Sequence, residues 1–179
     1  MAVNIGSPIV FREPYSVKQC LFFAKEQGIM SFTVEAVHHI GITVRDIQKS
    51  FDWYSRMFGL TPGAINQGSG EALSTAVGVP NTQLSFSMIE IGGTRIEFLQ
   101  YHEPEGKDFN LRNCDVGATH ICLQVDDMDS AVKTLTERGA VFTTTPNTIH
   151  GGDLDGSQWA YFRDPDGIQL EIWAWPKRS

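Results

Sequence analysis

The sequence contains few cysteines and no long apolar run. Its three cysteines, Cys20, Cys114 and Cys122, form no Cys-x-x-Cys pair. This argues against a disulfide framework and a thiolate zinc site. We expect the three cysteines to be buried and to pack as small hydrophobic residues. No stretch approaches the ~18 consecutive apolar residues of a membrane helix. Because the first residues also lack the basic and apolar regions of a secretory signal, we expect a cytoplasmic protein with no membrane partner.

Positive charge is also scarce. The 179 residues include 14 Lys and Arg against 21 Asp and Glu, which gives a formal net charge of −7. Because nucleic-acid binding depends on a basic surface, the sequence predicts no nucleic-acid partner and favours a small-molecule role. The 41% of hydrophobic and 20% of charged residues are typical of a globular chain with one domain or two small units sharing a core.

An internal repeat organises most of the chain. Residues 39–47, HIGITVRDI, align without gaps with residues 120–128, HICLQVDDM, and each segment runs into a helical pattern. Farther along, GTRIEF at residues 93–98 aligns with GIQLEI at residues 167–172. Each unit is therefore predicted to be a βαβββ module.

The repeat predicts an α+β fold in which two βαβββ modules in tandem form a curved mixed sheet. Asp46 and Asp127 are interpreted as helix-start acids. The N-terminal segment VKQCLFFAKEQG is a candidate capping helix. The predicted organisation is an N-terminal extension, a first module, a linker, and a second module with a C-terminal tail, at residues 1–33, 34–101, 102–116 and 117–179.

Strand alternation separates two faces in each module. Successive strand side chains point to opposite faces, so His39 and His120 lie opposite the aliphatic residues of their own strands. Glu97 and Glu171 occupy equivalent positions in the last strands of the two modules. We expect the helices to cover the aliphatic faces and to leave these four polar side chains on open, concave faces.

Two imidazoles and two carboxylates are a suitable donor set for a divalent metal ion. If the modules pair about a pseudo-twofold axis, His39, Glu97, His120 and Glu171 converge. Nitrogen and oxygen donors suit Zn, Ni, Co, Mn or Fe, and the set leaves positions for water or substrate. A single strand His or Glu is more often an ordinary polar residue, but the same order in both modules favours a metal site.

Three motifs support a family resemblance: HIGITVRD, GATHICLQVDDMDSAV and FRDPDGIQLEI, in this order. With them the chain resembles the vicinal oxygen chelate superfamily, which includes glyoxalase I, methylmalonyl-CoA epimerase, fosfomycin- and bleomycin-resistance proteins and extradiol dioxygenases. The resemblance implies that His39, Glu97, His120 and Glu171 are the metal ligands of a glyoxalase- or epimerase-like branch. The extradiol and fosfomycin branches are expected to use two His and one carboxylate.

Four further residues are candidates for the substrate pocket. Gln169 and Trp173 flank Glu171 on the same strand face. Tyr161 matches in part the signature of extradiol dioxygenases. His150 lies in a loop rich in Gly and Asp that could cover the pocket mouth, with a plain surface loop as the alternative.

The sequence and the resemblance together predict a metal-dependent isomerase or lyase of the glyoxalase I or epimerase type. A small substrate chelates the ion through neighbouring oxygens and loses a proton from the carbon next to a carbonyl, with Glu171 as first choice for the base and Glu97 as second. The alternatives are extradiol ring cleavage with Fe(II), and a non-catalytic protein that binds an antibiotic or toxin.

The linker length bears on assembly. It is long enough for the modules to pair within one chain or to exchange between two chains. We expect a homodimer with each site completed mainly within one chain.

Overall fold

The computed structural model describes residues 32–108 and 110–177, so the candidate N-terminal helix lies outside the described part of the chain. The elements are β1 Ile40–Thr43, α1 Ile47–Phe58, β2 Asn66–Ser69, α2 Glu71–Val77, β3 Gln83–Ile91, β4 Thr94–Glu103, β5 His120–Gln124, α3 Met128–Glu137, β6 Asn147–Thr148, β7 Gln158–Arg163 and β8 Gln169–Ala174. Within the described residues, no helix is long and apolar enough to cross a membrane.

The strands form two four-stranded mixed sheets, one from each half of the chain. Their strand orders are β1-β4-β3-β2 and β5-β8-β7-β6. In each sheet the first strand pairs in parallel with the last, and the remaining pairs are antiparallel. The same topology in both halves confirms the predicted α+β fold with two tandem modules.

Helices α1 and α3 begin at predicted acids. Asp46 has an extended backbone and its carboxylate accepts a hydrogen bond from the Lys49 N–H. Asp127 is also extended and accepts from the Ser130 N–H. These bonds satisfy backbone donors that have no partner inside the helix. Gly59 ends α1 with φ 69°, a left-handed conformation that glycine adopts without a side-chain clash.

One hydrophobic core joins the two modules. Phe98 of the first sheet and Leu170 and Ile172 of the second are fully buried in the same cluster as Phe51 of α1 and Met128 of α3. Burying a side chain of this size contributes about 1.5–3 kcal/mol. Because neighbouring strand residues point the other way, this packing leaves the His- and Glu-bearing faces of both sheets outside the core.

Polar contacts also connect the modules. The fully buried Tyr54 hydroxyl donates to Asp164 Oδ2 at 3.1 Å, and Ser50 Oγ donates to Asp166 Oδ2 at 3.4 Å. Arg45 Nε lies 3.7 Å from Asp166 Oδ1. Helix α1 of the first module is thereby fixed to the turn that leads into β8.

Two features differ from the sequence interpretation. The short helix α2 was not predicted; it has seven residues and buries none of them, which is too short a segment for apolar periodicity to indicate a helix. The expectation of buried cysteines is wrong for Cys114 and Cys122, which are both exposed. Cys122 is exposed because it lies on the open face of β5, opposite the aliphatic side chains of that strand. Cys20 lies outside the described residues.

Candidate metal centre

The first sheet brings one His and one Glu together on its open face. Strand β1 runs parallel with β4 and places Gly41 opposite Glu97. His39, two residues before Gly41, shares its face, and His39 Nε2 lies 3.3 Å from Glu97 Oε2. The structure therefore places this predicted pair within contact distance.

The second sheet repeats the arrangement. His120 begins β5, Glu171 lies near the middle of β8, and His120 Nε2 is 3.0 Å from Glu171 Oε2. Glu171 is only 7% exposed. The equivalent strands thus carry equivalent pairs, and Glu171 is the more buried of the two carboxylates.

Tyr161 and Cys122 adjoin the second pair. Tyr161 lies opposite Glu171 in the sheet register, and its hydroxyl is 3.4 Å from His120 Nε2. Burial, followed by the hydrogen bond with Glu171, raises the pKa of Tyr161 to about 12. Cys122 lies opposite Glu171 on the other side, and partial desolvation of its thiol, followed by the charge of Glu171, raises the pKa of that thiol to about 12. Both groups therefore keep their protons at neutral pH.

The four donor side chains are of types that bind a divalent ion, but they form two separate pairs, one in each module. Each half offers one imidazole nitrogen and one carboxylate oxygen, and the protonated Cys122 thiol adds no soft thiolate. Across residues 32–108 and 110–177, no three His, Cys, Asp or Glu side chains are grouped to hold a metal ion. Each pair is therefore half of the four-ligand set that the sequence predicts.

The other predicted pocket residues have different surroundings. Trp173 lies on the face of Glu171, two residues farther along β8. Gln169 is 4% exposed and, with its amide oxygen turned toward Arg163, accepts hydrogen bonds from the guanidinium. His150 is exposed in the loop between β6 and β7. The structure thus brings Trp173 near the second pair and leaves His150 at the surface.

The sequence patterns did not indicate that His38 contacts His39 and is itself contacted by Arg95. His38 Nδ1 lies 2.8 Å from His39 Nδ1, and Arg95 Nη1 lies 3.3 Å from His38 Nε2. Because a guanidinium only donates hydrogen bonds, His38 Nε2 accepts from Arg95. The hydrogen of His38 is then on Nδ1, which donates to His39 Nδ1. Arg95 is 57 residues from His38 in the chain, so no local spacing could have indicated this contact.

Comparison with known proteins relates this geometry to a family. Residues 36–172 match the model of the Glyoxalase/Bleomycin resistance protein/Dioxygenase superfamily. The chain is 30% identical to 2-epi-5-epi-valiolone epimerase of Actinomyces sp over 142 residues. The aligned region covers 76% of this chain and 78% of that protein. The chain is 28% identical over 107 residues to the mitochondrial methylmalonyl-CoA epimerase of Homo sapiens, covering 57% of this chain and 53% of that protein.

A solved structure has the same fold. The glyoxalase family protein from Bacillus cereus superposes with a TM-score of 0.69 and 17% sequence identity, over 83% of this chain and 99% of that one. The fold, the family model and the epimerase relatives agree with the three sequence motifs. The chain therefore belongs to the Glyoxalase/Bleomycin resistance protein/Dioxygenase superfamily, whose members share the vicinal oxygen chelate fold.

Proposed function

We propose that this protein is a metal-dependent epimerase or isomerase that acts on a small substrate with two neighbouring oxygens. The observation that carries the proposal is the repeated His–Glu pair, with 3.3 Å between the polar atoms in one module and 3.0 Å in the other. Relatives named as epimerases support proton transfer at carbon as the reaction class. Zn, Ni, Co, Mn and Fe(II) all accept such a donor set.

His39, Glu97, His120 and Glu171 would hold the ion together. The core residues of both sheets belong to one cluster, so the modules of one chain contact each other on the faces opposite the His–Glu pairs. A single chain then presents two separate half-sites. In a homodimer, each chain can complete the other's half-site. This separation favours exchange between two chains over completion of each site within one chain.

The two carboxylates have complementary roles in proton transfer. A bound divalent ion would supply a Lewis acid that makes the hydrogen next to the substrate carbonyl acidic. Glu171 Oε2 takes that proton, because this carboxylate is buried and held beside His120. For the proton count to balance, Glu97, from the other half-site, would begin the turnover carrying a proton from solvent and released from the ion, and it would deliver that proton to the opposite face of the same carbon; the turnover then ends with Glu171 protonated and Glu97 ionised. The protonated Tyr161 hydroxyl donates a hydrogen bond to Glu171 and so orients that carboxylate.

Hydrogen exchange without oxygen tests the reaction class. Co²⁺-loaded protein is incubated anaerobically in D₂O with acetoin or with myo-inosose, and deuterium at the hydroxyl-bearing carbon next to the carbonyl is followed by NMR. We expect exchange with at least one substrate, slowed about 10²-fold in Glu171→Gln while metal remains bound. The exposed Glu90, replaced with Gln, is a matched control expected to exchange at the wild-type rate.

Other outcomes would support the alternatives. Oxygen consumption stoichiometric with catechol loss, retained in Glu97→Ala, would establish extradiol ring cleavage, because that chemistry needs only three protein ligands. Failure to bind metal would instead favour a non-catalytic binding protein.

Mixing two variants tests where the sites form. His39→Ala damages the first half-site and His120→Ala the second. If sites combine halves from two chains, mixed dimers regain one intact site, so unfolding and refolding the variants together should restore metal binding to about one quarter of the sites. No recovery, in samples that light scattering shows to be dimeric, would assign each site to a single chain.

A further inference from the structure

Four aromatic side chains lie along the open face of the second sheet beside Glu171. Trp159 and Tyr161 are on β7, Trp173 is on β8, and Trp175 follows β8. Tyr161 pairs with Glu171 in the register, and Trp159 pairs with Trp173. All four rings keep partly exposed surface, and Trp175 is 51% exposed. We call Trp159, Tyr161, Trp173 and Trp175 the aromatic wall.

The wall is held in place by contacts within the module. The ring centroids of Trp159 and Tyr161 are 5.5 Å apart and those of Trp173 and Trp175 are 5.8 Å apart, both edge to face. Trp175 Nε1 also donates to Gln124 Oε1 at 3.1 Å. Because the ring contacts and this hydrogen bond are made within the module, they restrict the side-chain rotamers of the wall, and binding to it requires little further ordering.

The position of the wall suits a ring-shaped ligand. Trp173 follows Glu171 by two residues, which places it about 6.6 Å farther along β8, and Trp159 lies about 4.8 Å away on the neighbouring strand. A substrate whose hydroxy-carbonyl edge reaches Glu171 would therefore extend over Trp159 and Trp173.

The equivalent positions of the first module are also apolar. Leu99 follows Glu97 by two residues, and Phe86 is its register partner. If the two open faces meet in a homodimer, as proposed above, a ligand at the site has an apolar surface on each side. Such a pocket, with a few polar groups at one end, is typical of small-molecule sites.

The charge of this face disfavours anionic substrates. Arg163 shares the open face of β7, but its guanidinium already donates to the carbonyl oxygens of Gly167 and Leu111. In the proposed site two carboxylates balance the charge of one divalent ion, so the site carries no net positive charge, and the chain has a formal net charge of −7. A phosphate or CoA group would therefore meet an unfavourable field near the wall.

We infer that Trp159 and Trp173 bind the C–H face of an uncharged, saturated, polyhydroxylated ring that carries a hydroxyl next to its ketone. The inference rests on the proposed function, because a carbon that is epimerised must be saturated and carry a hydrogen. The indole faces exclude water from the ring face, and hydroxyls at its edge can reach Gln124 on the neighbouring strand.

Two hydroxy ketones that differ in shape test this assignment. The probes are myo-inosose, a polyhydroxylated cyclohexanone, and acetoin, which has the same hydroxy-ketone unit without a ring. Binding to Co²⁺-loaded protein is measured by titration calorimetry. We expect the wild type to bind myo-inosose at least about 10-fold more tightly than acetoin, a difference of about 1.4 kcal/mol.

Variants assign the preference to the wall. Trp159→Ala and Trp173→Ala should each bring the two affinities to within about 3-fold, mainly by weakening myo-inosose binding. Phenylalanine at the same positions should retain part of the preference. Trp53→Phe is the matched control, because Trp53 is 8% exposed and packs in the core.

Several results would overturn the inference. Equal affinities in the wild type would do so, as would a preference that persists in both alanine variants. Loss of the dimer in Trp159→Ala with an unchanged preference would assign the rings to the subunit interface. Co²⁺ titration of the same samples separates the two proposals: no metal binding removes the proposed function, whereas metal binding without ring preference removes only this inference.

Discussion

Replacing Asp164 with Asn should make the stability of the protein less dependent on pH. The side chain is only 6% exposed, and its Oδ1 accepts hydrogen bonds from the N–H groups of Asp166 at 2.9 Å and Ile168 at 2.8 Å. Its Oδ2 accepts from the Tyr54 hydroxyl. An Asn amide keeps the oxygen for both N–H groups and donates through its NH₂ to the Tyr54 oxygen, so the substitution removes a charge, keeps two hydrogen bonds and reverses the third.

The magnitude follows from the pKa of Asp164. Burial, the largest cause, raises this pKa from 3.8 to about 6, and the charge of Asp166 adds to the effect. Because the folded pKa lies above the unfolded one, the folded protein holds the proton more tightly, and this stabilisation is lost as the pH rises from about 4 through 6. The loss totals about 3 kcal/mol, of which about 1.4 kcal/mol falls between pH 5 and pH 8.

Urea unfolding at pH 5 and pH 8 measures the effect. We expect the stability of Asp164→Asn relative to the wild type, measured as the difference in free energy of unfolding, to be about 1.4 kcal/mol higher at pH 8 than at pH 5. Asp52→Asn is the control, because Asp52 is exposed. A difference between Asp164→Asn and the wild type that is the same at both pH values would refute the assignment of a raised pKa to Asp164.

Three substitutions test other parts of the fold, each by urea unfolding at pH 8. Tyr54→Phe removes a buried donor to the Asp164 carboxylate and should cost about 1.5–3 kcal/mol, and a cost within error of zero would contradict the buried contact. Phe98→Ala leaves a cavity in the shared core and should cost about 3–5 kcal/mol; a loss under about 1 kcal/mol would place Phe98 outside it. Asp127→Ala removes the cap of α3 and should cost about 1 kcal/mol, and an unchanged midpoint would mean that the cap contributes nothing.

The repeat explains why much of the architecture could be predicted. Two-residue alternation in β8 and β4 placed Glu171 and Glu97 on open faces, and the register confirms that each Glu lies beside the first strand of its own module. Asp46 and Asp127 were identifiable because capping is a local interaction within three residues. Local periodicity was therefore sufficient to predict the strands, the two main helices and the positions of the four residues in the His–Glu pairs.

The remaining features depend on contacts that local patterns do not encode. Tyr54 and Asp164 are 110 residues apart, and both belong to motifs that could be explained locally, as a helix apolar position and a turn acid. The exposure of Cys122 and the grouping of the rings in the aromatic wall follow from the register of β5, β7 and β8, which local patterns do not specify. Convergence of all four proposed ligands depends on how modules or chains pair, which single-module periodicity does not specify.

The central claim is that two His–Glu pairs form one divalent metal site. Titration calorimetry of chelator-treated protein with Co²⁺ tests it most directly. We expect one ion per chain for the wild type, and affinity reduced at least about 100-fold in His39→Ala and in His120→Ala, because each removes one of four ligands. Wild-type affinity in the His39→Ala, His120→Ala double variant would show that any metal site lies elsewhere.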